Sequence, residues 1–442
     1  MAKVSLISLG CPKNLVDSEV ALAEIAGAGH EIVVDEAVAD VIVVNTCGFV
    51  QSARQESMDA VCGALKRKRD GTCRAVVVIG CLSQRYGPSL KGAGRKTHID
   101  PSELDGVLGV EHTDKLAETI DRALSGQKTF DESDPNVAWT EPQARVLSTP
   151  PWTSYIKISE GCSNRCAYCA IPDIRGPFRS RPEDYILSEA QRMAEVGVKE
   201  INLIGQDLTQ YGEDSGDTNR LASLVRKLNE VDGLRWIRLM YCYPAKITQE
   251  LIDAMAECEK VVKYLDIPLQ HADNDILVAM NRRGNSEKYA AVINAIRAKI
   301  PDVALRTTFI VGFPGESDAA FERLLGFVER MRFDRVGAFI YSREKGTPAA
   351  GFQPVQSRVA QERYDRLMCL QQDISLHRNR TLIGNKLEVL VEGRVENAMY
   401  GRSYRDAPEI DGLVYLPNST AKPGEFVETT IADATEYDLI GT

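Results

Sequence analysis

The sequence predicts an α/β protein in three parts: a parallel-sheet domain, an incomplete barrel of six strand–helix units, and a small antiparallel β-barrel. Three observations predict this. Apolar, β-branched runs alternate with helical patterns over most of the chain, and such alternation builds parallel sheets. Six of the later runs recur as successive βα units, too few to close a full barrel. From about residue 377 helical periodicity gives way to short alternating runs broken by Gly, Pro and Asn.

The first domain covers residues 1 to about 125. Its strands are the runs 4–10, 41–46 and 75–80, and each is followed at once by a cysteine: Cys11, Cys47 and Cys81. A helix starts after Cys11-Pro12-Lys13, with Asn14 as N-cap and Asp17 three residues on; Gly27 and Gly29 stop it. A second helix runs from about Val50 to Lys66-Arg67-Lys68-Arg69, whose cations read as a solvated helix end complementing the dipole rather than as a partner contact. A strand at 107–110 and a helix from Thr113 complete the domain. Residues 126–150, rich in Asp, Glu, Ser, Thr and Pro and without periodicity, read as a linker. The barrel strands of residues 151–376 are the runs 155–159, 200–204, 236–241, 264–269, 306–311 and 336–341. The final domain, 377–442, draws its strands from 386–391, 413–416 and 426–431.

In a parallel sheet the strand C-termini share one edge, and that edge is where open α/β sheets bind ligands. Three strand-end thiols can therefore converge there. Buried cysteines often act as small hydrophobes, which accounts for Cys62, Cys73, Cys242, Cys258 and Cys369, since none recurs in a pattern. It does not account for three repeated strand-end placements. Those read as a three-cysteine cluster site.

A second trio, Cys162, Cys166 and Cys169, lies on one loop directly after the first barrel strand, at the barrel's catalytic face. Fe–S cubanes normally take four cysteines, so three leave one iron open to an exchangeable ligand. Zinc is the rival reading, but it prefers four ligands in two short pairs, and no second Cys/His pair follows. A plain Fe–S electron carrier would saturate its irons with protein ligands.

With 442 residues, 44% hydrophobic and 26% charged, composition fits a soluble globular protein. Eleven cysteines and an N-terminal apolar run too short for a signal peptide argue against a disulfide framework and for the cytoplasm, with no membrane association. Net charge is −10 for the chain. From His377 onward seven basic residues face eleven acidic ones, leaving −4. An RNA-binding barrel should present a basic face; an acidic one suits a basic protein.

The Cys162/Cys166/Cys169 spacing resembles the radical S-adenosylmethionine (SAM) signature. The whole chain resembles the methylthiotransferases, with a flavodoxin-like N-terminal domain, a radical SAM partial barrel and a TRAM-like barrel. The runs 157–162, 264–272 and 401–412 look like the branch that modifies an aspartate β-carbon in ribosomal protein S-twelve rather than the branch that modifies adenosine in tRNA. The resemblance implies two 4Fe–4S clusters, at Cys11/Cys47/Cys81 and at Cys162/Cys166/Cys169. It implies SAM as methyl donor and radical source, a flavodoxin- or ferredoxin-type electron donor, and a basic small-subunit ribosomal protein as substrate. No acid or base residue is assigned. SAM contacts are expected from Tyr168, Gly205, Gln206 and Gly312. Packing explains the Tyr168 ring equally well, and an ordinary turn is the alternative for 312–316. His271 fits either a donor to substrate or SAM, or a structural hydrogen bond.

Overall fold

The computed structural model describes all of residues 1–442 except 95–98, 111, 132–133, 137–138 and 140–143. The first sheet contains β1 (Lys3–Ser8), β2 (Glu31–Ile32), β3 (Val41–Thr46), β4 (Ala75–Gly80), β5 (Gly106–Leu108) and β6 (Thr129–Asp131), all parallel, in the order β2-β1-β3-β4-β5-β6. Its first five strands follow the flavodoxin-like order, which places a crevice between β1 and β3. β3 and β4 are buried at every residue, as their unbroken apolar runs require of strands covered on both faces. Helices α1 (Pro12–Gly27), α2 (Gln51–Arg69), α3 (Cys81–Tyr86) and α4 (Leu116–Leu124) accompany them.

Two local expectations are corrected. Cys11, not Asn14, caps α1, because Pro12 takes the first helical turn, where its missing N–H costs nothing. In addition, β6 falls within the stretch expected to be linker, where it extends the sheet; several other residues of that stretch lie outside the described ones. The basic end of α2 behaves as expected of a helix terminus: Arg67 pairs with Glu36, Lys68 with Asp105 and Arg69 with Glu103.

The second sheet holds β7 (Thr153–Lys157), β10 (Glu200–Ile204), β11 (Trp236–Leu239), β12 (Val261–Asp266), β13 (Ala304–Val311) and β14 (Arg335–Ile340), parallel and in sequential order. A short hairpin of β8 (Ser159–Glu160) and β9 (Arg179–Ser180) frames the loop after β7 and its helix α5 (Ile171–Arg175). A closed barrel of β15 (Lys386–Val395), β16 (Ala398–Ser403), β17 (Val414–Pro417), β18 (Phe426–Ala434) and β19 (Leu439–Gly441) ends the chain. It is not wholly antiparallel, since β17 and β19 pair in parallel. The change of character placed at residue 377 lies inside the helix Ser357–Arg380. Among the described residues no helix is long and apolar enough to cross a membrane.

The two ends of the central sheet are closed differently. At the strand N-termini the small barrel docks through buried ion pairs. Glu200 at the start of β10 meets Arg402 at 2.6 Å and Arg238 at 3.1 Å, with all three side chains almost wholly buried. Arg335 meets Asp406 at 2.7 Å, and Tyr264 donates its hydroxyl to Asp411 at 2.7 Å. Apolar contact adds to this: Leu390 and Ala407 belong to the central hydrophobic core, and Trp236 stacks edge-on against Phe426. At the strand C-termini the first sheet docks, through α1 and through Arg54 and Arg85, both paired with buried Glu344 after β14.

Burial opposes the charge of Glu200, but Arg402 and Arg238 outweigh it and hold the carboxyl at about 2. That depressed value stabilises the fold at pH above the ordinary carboxylate range, a contribution lost as pH falls toward 2. Glu200→Ala leaves two buried guanidinium groups unpaired, so urea denaturation at pH 7 is expected to show a loss of about 3–5 kcal/mol. The gap between variant and wild type should narrow as the pH is lowered from 5 toward 2.

Candidate functional site

The three strand-end cysteines of the first sheet meet at the β1/β3 crevice. Gly10, at φ +98°, turns the chain so that Cys11 caps α1, and an added Cβ there would lie 2.8 Å from Cys47 Cβ and 3.2 Å from its Sγ. Gly48 brings the next loop against Cys81, where a Cβ would stand 2.5 Å from the Cys81 carbonyl oxygen. Ser57 on α2 binds both the N–H and the carbonyl of Cys47. Asn14, freed from capping, laces the loops together: its amide donates to the Leu9 carbonyl at 2.9 Å and the Thr46 carbonyl at 3.0 Å.

The second trio is held by backbone bonds. The Cys162 N–H donates to the Gly176 carbonyl at 3.1 Å, that of Cys169 to the Cys166 carbonyl at 3.0 Å, and that of Ala167 to the Met280 carbonyl at 2.8 Å. Each sulfur also faces a donor: Gln210 Nε2 at 3.5 Å from Cys162, Arg282 Nη1 at 3.8 Å from Cys166 and the Ile171 N–H at 3.5 Å from Cys169.

All six are free thiols. Burial pushes Cys81 up to about 12 and Cys162 up to about 11, and raises Cys47 and Cys169. Burial thus keeps these four as neutral thiols, and metal loading must displace their protons. Among the described residues no three His, Cys, Asp or Glu side chains close around a single metal-sized point. The corners of a cubane are spread over three irons and need no such closure. Three soft sulfur donors with N–H groups aimed at them fit an iron–sulfur cluster better than a lone hard cation.

Arg175, at the end of α5, joins the two crevices and was not singled out from sequence. It is fully buried. Its Nε donates to Cys81 Sγ at 3.3 Å, Nη1 to Glu160 at 2.9 Å, and Nη2 to Asn14 and Asp17 at 2.8 Å each. Lys157 adds bonds to Asp17 at 2.7 Å and Glu160 at 2.8 Å. Glu160 stands two residues before Cys162, so one ionic lattice runs from one trio to the other.

The expected SAM contacts are placed as follows. Tyr168 is half-buried, accepts from Arg282 at 3.2 Å, and packs beside Ala167, Phe313 and Ala349. Gly205 lies against Ser159, whose hydroxyl an added Cβ would overlap. Gln206 donates to Glu160 at 3.2 Å, while its carbonyl oxygen and the Ser159 hydroxyl are buried without partners. These orphaned groups at the end of β10 fit a polar ligand bound there. Gly312, at φ +70°, lies against Ala360, where an added Cβ would stand 2.5 Å from the Ala360 Cβ. His271 is fully buried and kept neutral by burial, which pushes it down to about 3; its Nδ1 accepts the Asp273 N–H at 2.9 Å. That is a structural hydrogen bond, while its Nε2 is buried without a hydrogen-bond partner, 3.8 Å from Glu316. Nearby Glu316 is pushed up to about 7 by burial, against the pull of Arg363.

Arg175→Met leaves Cys81 without its cation and Asp17 and Glu160 with Lys157 alone. The expected result is a stability loss of about 3–5 kcal/mol in chemical denaturation, and lower iron retention at the first trio after reconstitution. Arg175→Lys should restore iron only in part, because an ammonium cannot reproduce the fork that holds Asn14 and Asp17 together.

Three family models match the chain: the Radical SAM superfamily over residues 156–328, "Uncharacterized protein family UPF0004" over 3–99 and the TRAM domain over 383–442. Among curated relatives, the "Ribosomal protein uS12 methylthiotransferase RimO" of Geobacter sulfurreducens is 47% identical, covering 99% of this chain and 98% of its own. That of Desulforamulus reducens is 46% identical, covering 100% and 99%. Among solved structures, the radical SAM methyltransferase TsrM from Kitasatospora setae superposes with a TM-score of 0.59 at 14% identity, over 79% of this chain and 75% of that one, a likeness of fold alone. With such identity sustained along its full length, the chain belongs to the ribosomal protein uS12 methylthiotransferase family of radical SAM enzymes.

Proposed function

We propose that the chain inserts a methylthio group at the β-carbon of an aspartate of ribosomal protein uS12. Cys162, Cys166 and Cys169 would hold one 4Fe–4S cluster, and Cys11, Cys47 and Cys81 the other. The observation that carries the pairing of the two cluster sites is the single ionic lattice joining the two thiol trios through Arg175. When bound, the first cluster with SAM supplies hydrogen abstraction driven by one-electron SAM cleavage, and the second supplies an exchangeable sulfur ligand. The chemistry demands such a pair, because an aspartate β-C–H is too weakly acidic for a side-chain base. A one-electron donor of flavodoxin or ferredoxin type completes the requirement.

The protein's own part is to hold and exclude. Docking α1 onto the C-terminal ends of the central strands covers the crevice and keeps water from the reacting carbon. Ser159 and Gln206 offer their unpaired oxygens to the polar end of SAM, and Tyr168 beside Cys169 presents its ring to the same ligand. Arg175 places its positive charge beside Cys81.

The charge of the terminal barrel does not speak for a protein partner in the way its composition suggests. Asp406, Asp411, Glu388, Glu392 and Glu428 are engaged by Arg335, Arg306, Arg235, Arg402 and Lys386. The barrel docks at the strand N-termini, the end opposite the crevice. The preference for uS12 over tRNA rests on the relatives.

Mass spectrometry of uS12 incubated with reconstituted enzyme, SAM and a reductant tests the reading. Wild type, with about eight irons, should add one methylthio group. Replacing Cys162, Cys166 and Cys169 by Ala should leave about four irons and end SAM cleavage. Replacing Cys11, Cys47 and Cys81 should end sulfur insertion yet leave some SAM cleavage. Methylthio product from that last variant, or tRNA modified in place of uS12, would contradict the proposal.

A further inference from the structure

Arg175, Lys157, Arg282 and Lys13 stand near the two cysteine trios, and the first three have hydrogen-bonded partners. Arg175 and Lys157 are bound to Asp17 and Glu160. Arg282 directs its guanidinium to Tyr168, Cys166 and the Pro268 carbonyl, and lies over the Tyr243 ring. Lys13 differs. It stands in the first turn of α1, two residues after Cys11, and is 8% exposed. Its Nζ lies 3.6 Å from the centroid of the Tyr241 ring. Among the described residues no carboxylate or other hydrogen-bond acceptor meets that ammonium.

Tyr241 is itself held in place. It follows β11 at the C-terminal end of the central sheet with φ +61°, a left-handed conformation costly for a bulky side chain. Its N–H donates to Asp266 at 3.2 Å, and its carbonyl accepts the Leu208 N–H at 3.1 Å. The strained residue thus sets an aromatic floor under Lys13, across the joint between the first sheet and the central one. A cation–π contact supports an ammonium without consuming its hydrogen-bond donors. A nearly buried ammonium with free donors is costly unless an anion comes to it. The protein's own carboxylates nearby are committed to Arg175 and Lys157. The donors of Lys13 are thus open to an anion entering the crevice; Cys11, two residues away, is its anionic neighbour within the chain, and the iron content measured below separates the two roles.

We propose that Lys13 binds the side-chain carboxylate of the substrate aspartate and selects it over neutral side chains. This rests on the function proposed above. Gripping the γ-carboxylate leaves the adjacent β-carbon exposed to the crevice, where the hydrogen is removed and the sulfur added. Lys13 is then a specificity-determining residue, and Tyr241 positions it.

The test measures binding by reconstituted wild type, Lys13→Met and Lys13→Arg to purified uS12 and to uS12 carrying Asn at the modified aspartate, by calorimetry, with iron content determined for each enzyme. Wild type should prefer the aspartate form by about 10- to 100-fold, the value of one charge-assisted hydrogen bond in a desolvated site. Lys13→Met should abolish the preference by weakening the aspartate form alone, and KM for uS12 should rise by a similar factor. Lys13→Arg should keep part of it, and iron content should match wild type in both. A preference that survives in Lys13→Met, or its absence in wild type, would overturn the inference. So would iron lost from Lys13→Met, which would mean that Lys13 serves the cluster loop. If wild type modifies no uS12 at all, the failure belongs to the proposed function rather than to Lys13.

Discussion

Arg175 carries its charge where water cannot reach it, and each of its three nitrogens donates a hydrogen bond. Asn14 and Asp17 come from the first helix, Cys81 from the end of β4, and Glu160 from the hairpin that opens the second cysteine loop. A buried guanidinium is costly unless it is paired and hydrogen-bonded, so this one residue ties α1, β4 and the loop after β7 to one another. Both thiol trios inherit their placement from it. Asp17 and Glu160 are shared with Lys157, which makes the joint an alternating lattice of charges rather than a single pair.

The central sheet is an open curl of strands that needs closing at both ends, and the two closures have opposite chemistry. At the strand N-termini the terminal barrel seats buried ion pairs around Glu200, Asp406 and Asp411, aided by apolar residues shared with the central core. At the strand C-termini the joint is polar and leaves sulfurs, an unpaired ammonium and orphaned hydroxyl and amide oxygens around a crevice. The first closure suits rigidity. The second leaves groups unsatisfied for ligands and substrate to meet.

Much of this is legible in the sequence. The six central strands and the strand-end cysteines declare themselves because unbroken Val/Ile runs admit few readings, and parallel topology then carries the cysteines to one edge. What escaped was long-range. Arg175 reads locally as the cation of a short helix end; its partners lie 15 to 161 residues away. Asn14 reads as an N-cap because Pro12 masks the true start at Cys11. The strand Thr129–Asp131 is three residues long and exists only through its register with β5, so no periodicity marks it. In the terminal barrel β16 includes Gly401, where backbone closeness to Leu390 replaces side-chain packing. Summed charge misled for a related reason, since counting Asp406 and Asp411 as free acids ignores the arginines that bury them.

The central claim is that one ionic lattice through Arg175 sets the two trios side by side. Electron paramagnetic resonance of the fully reconstituted, reduced protein tests it most directly, set against spectra of the two variants that keep a single trio. Paramagnetic clusters set side by side couple, so the doubly loaded spectrum is expected to be broadened and fast-relaxing relative to the sum of the two single-cluster spectra. A spectrum equal to that sum, with unaltered relaxation, would place the clusters apart and contradict the account.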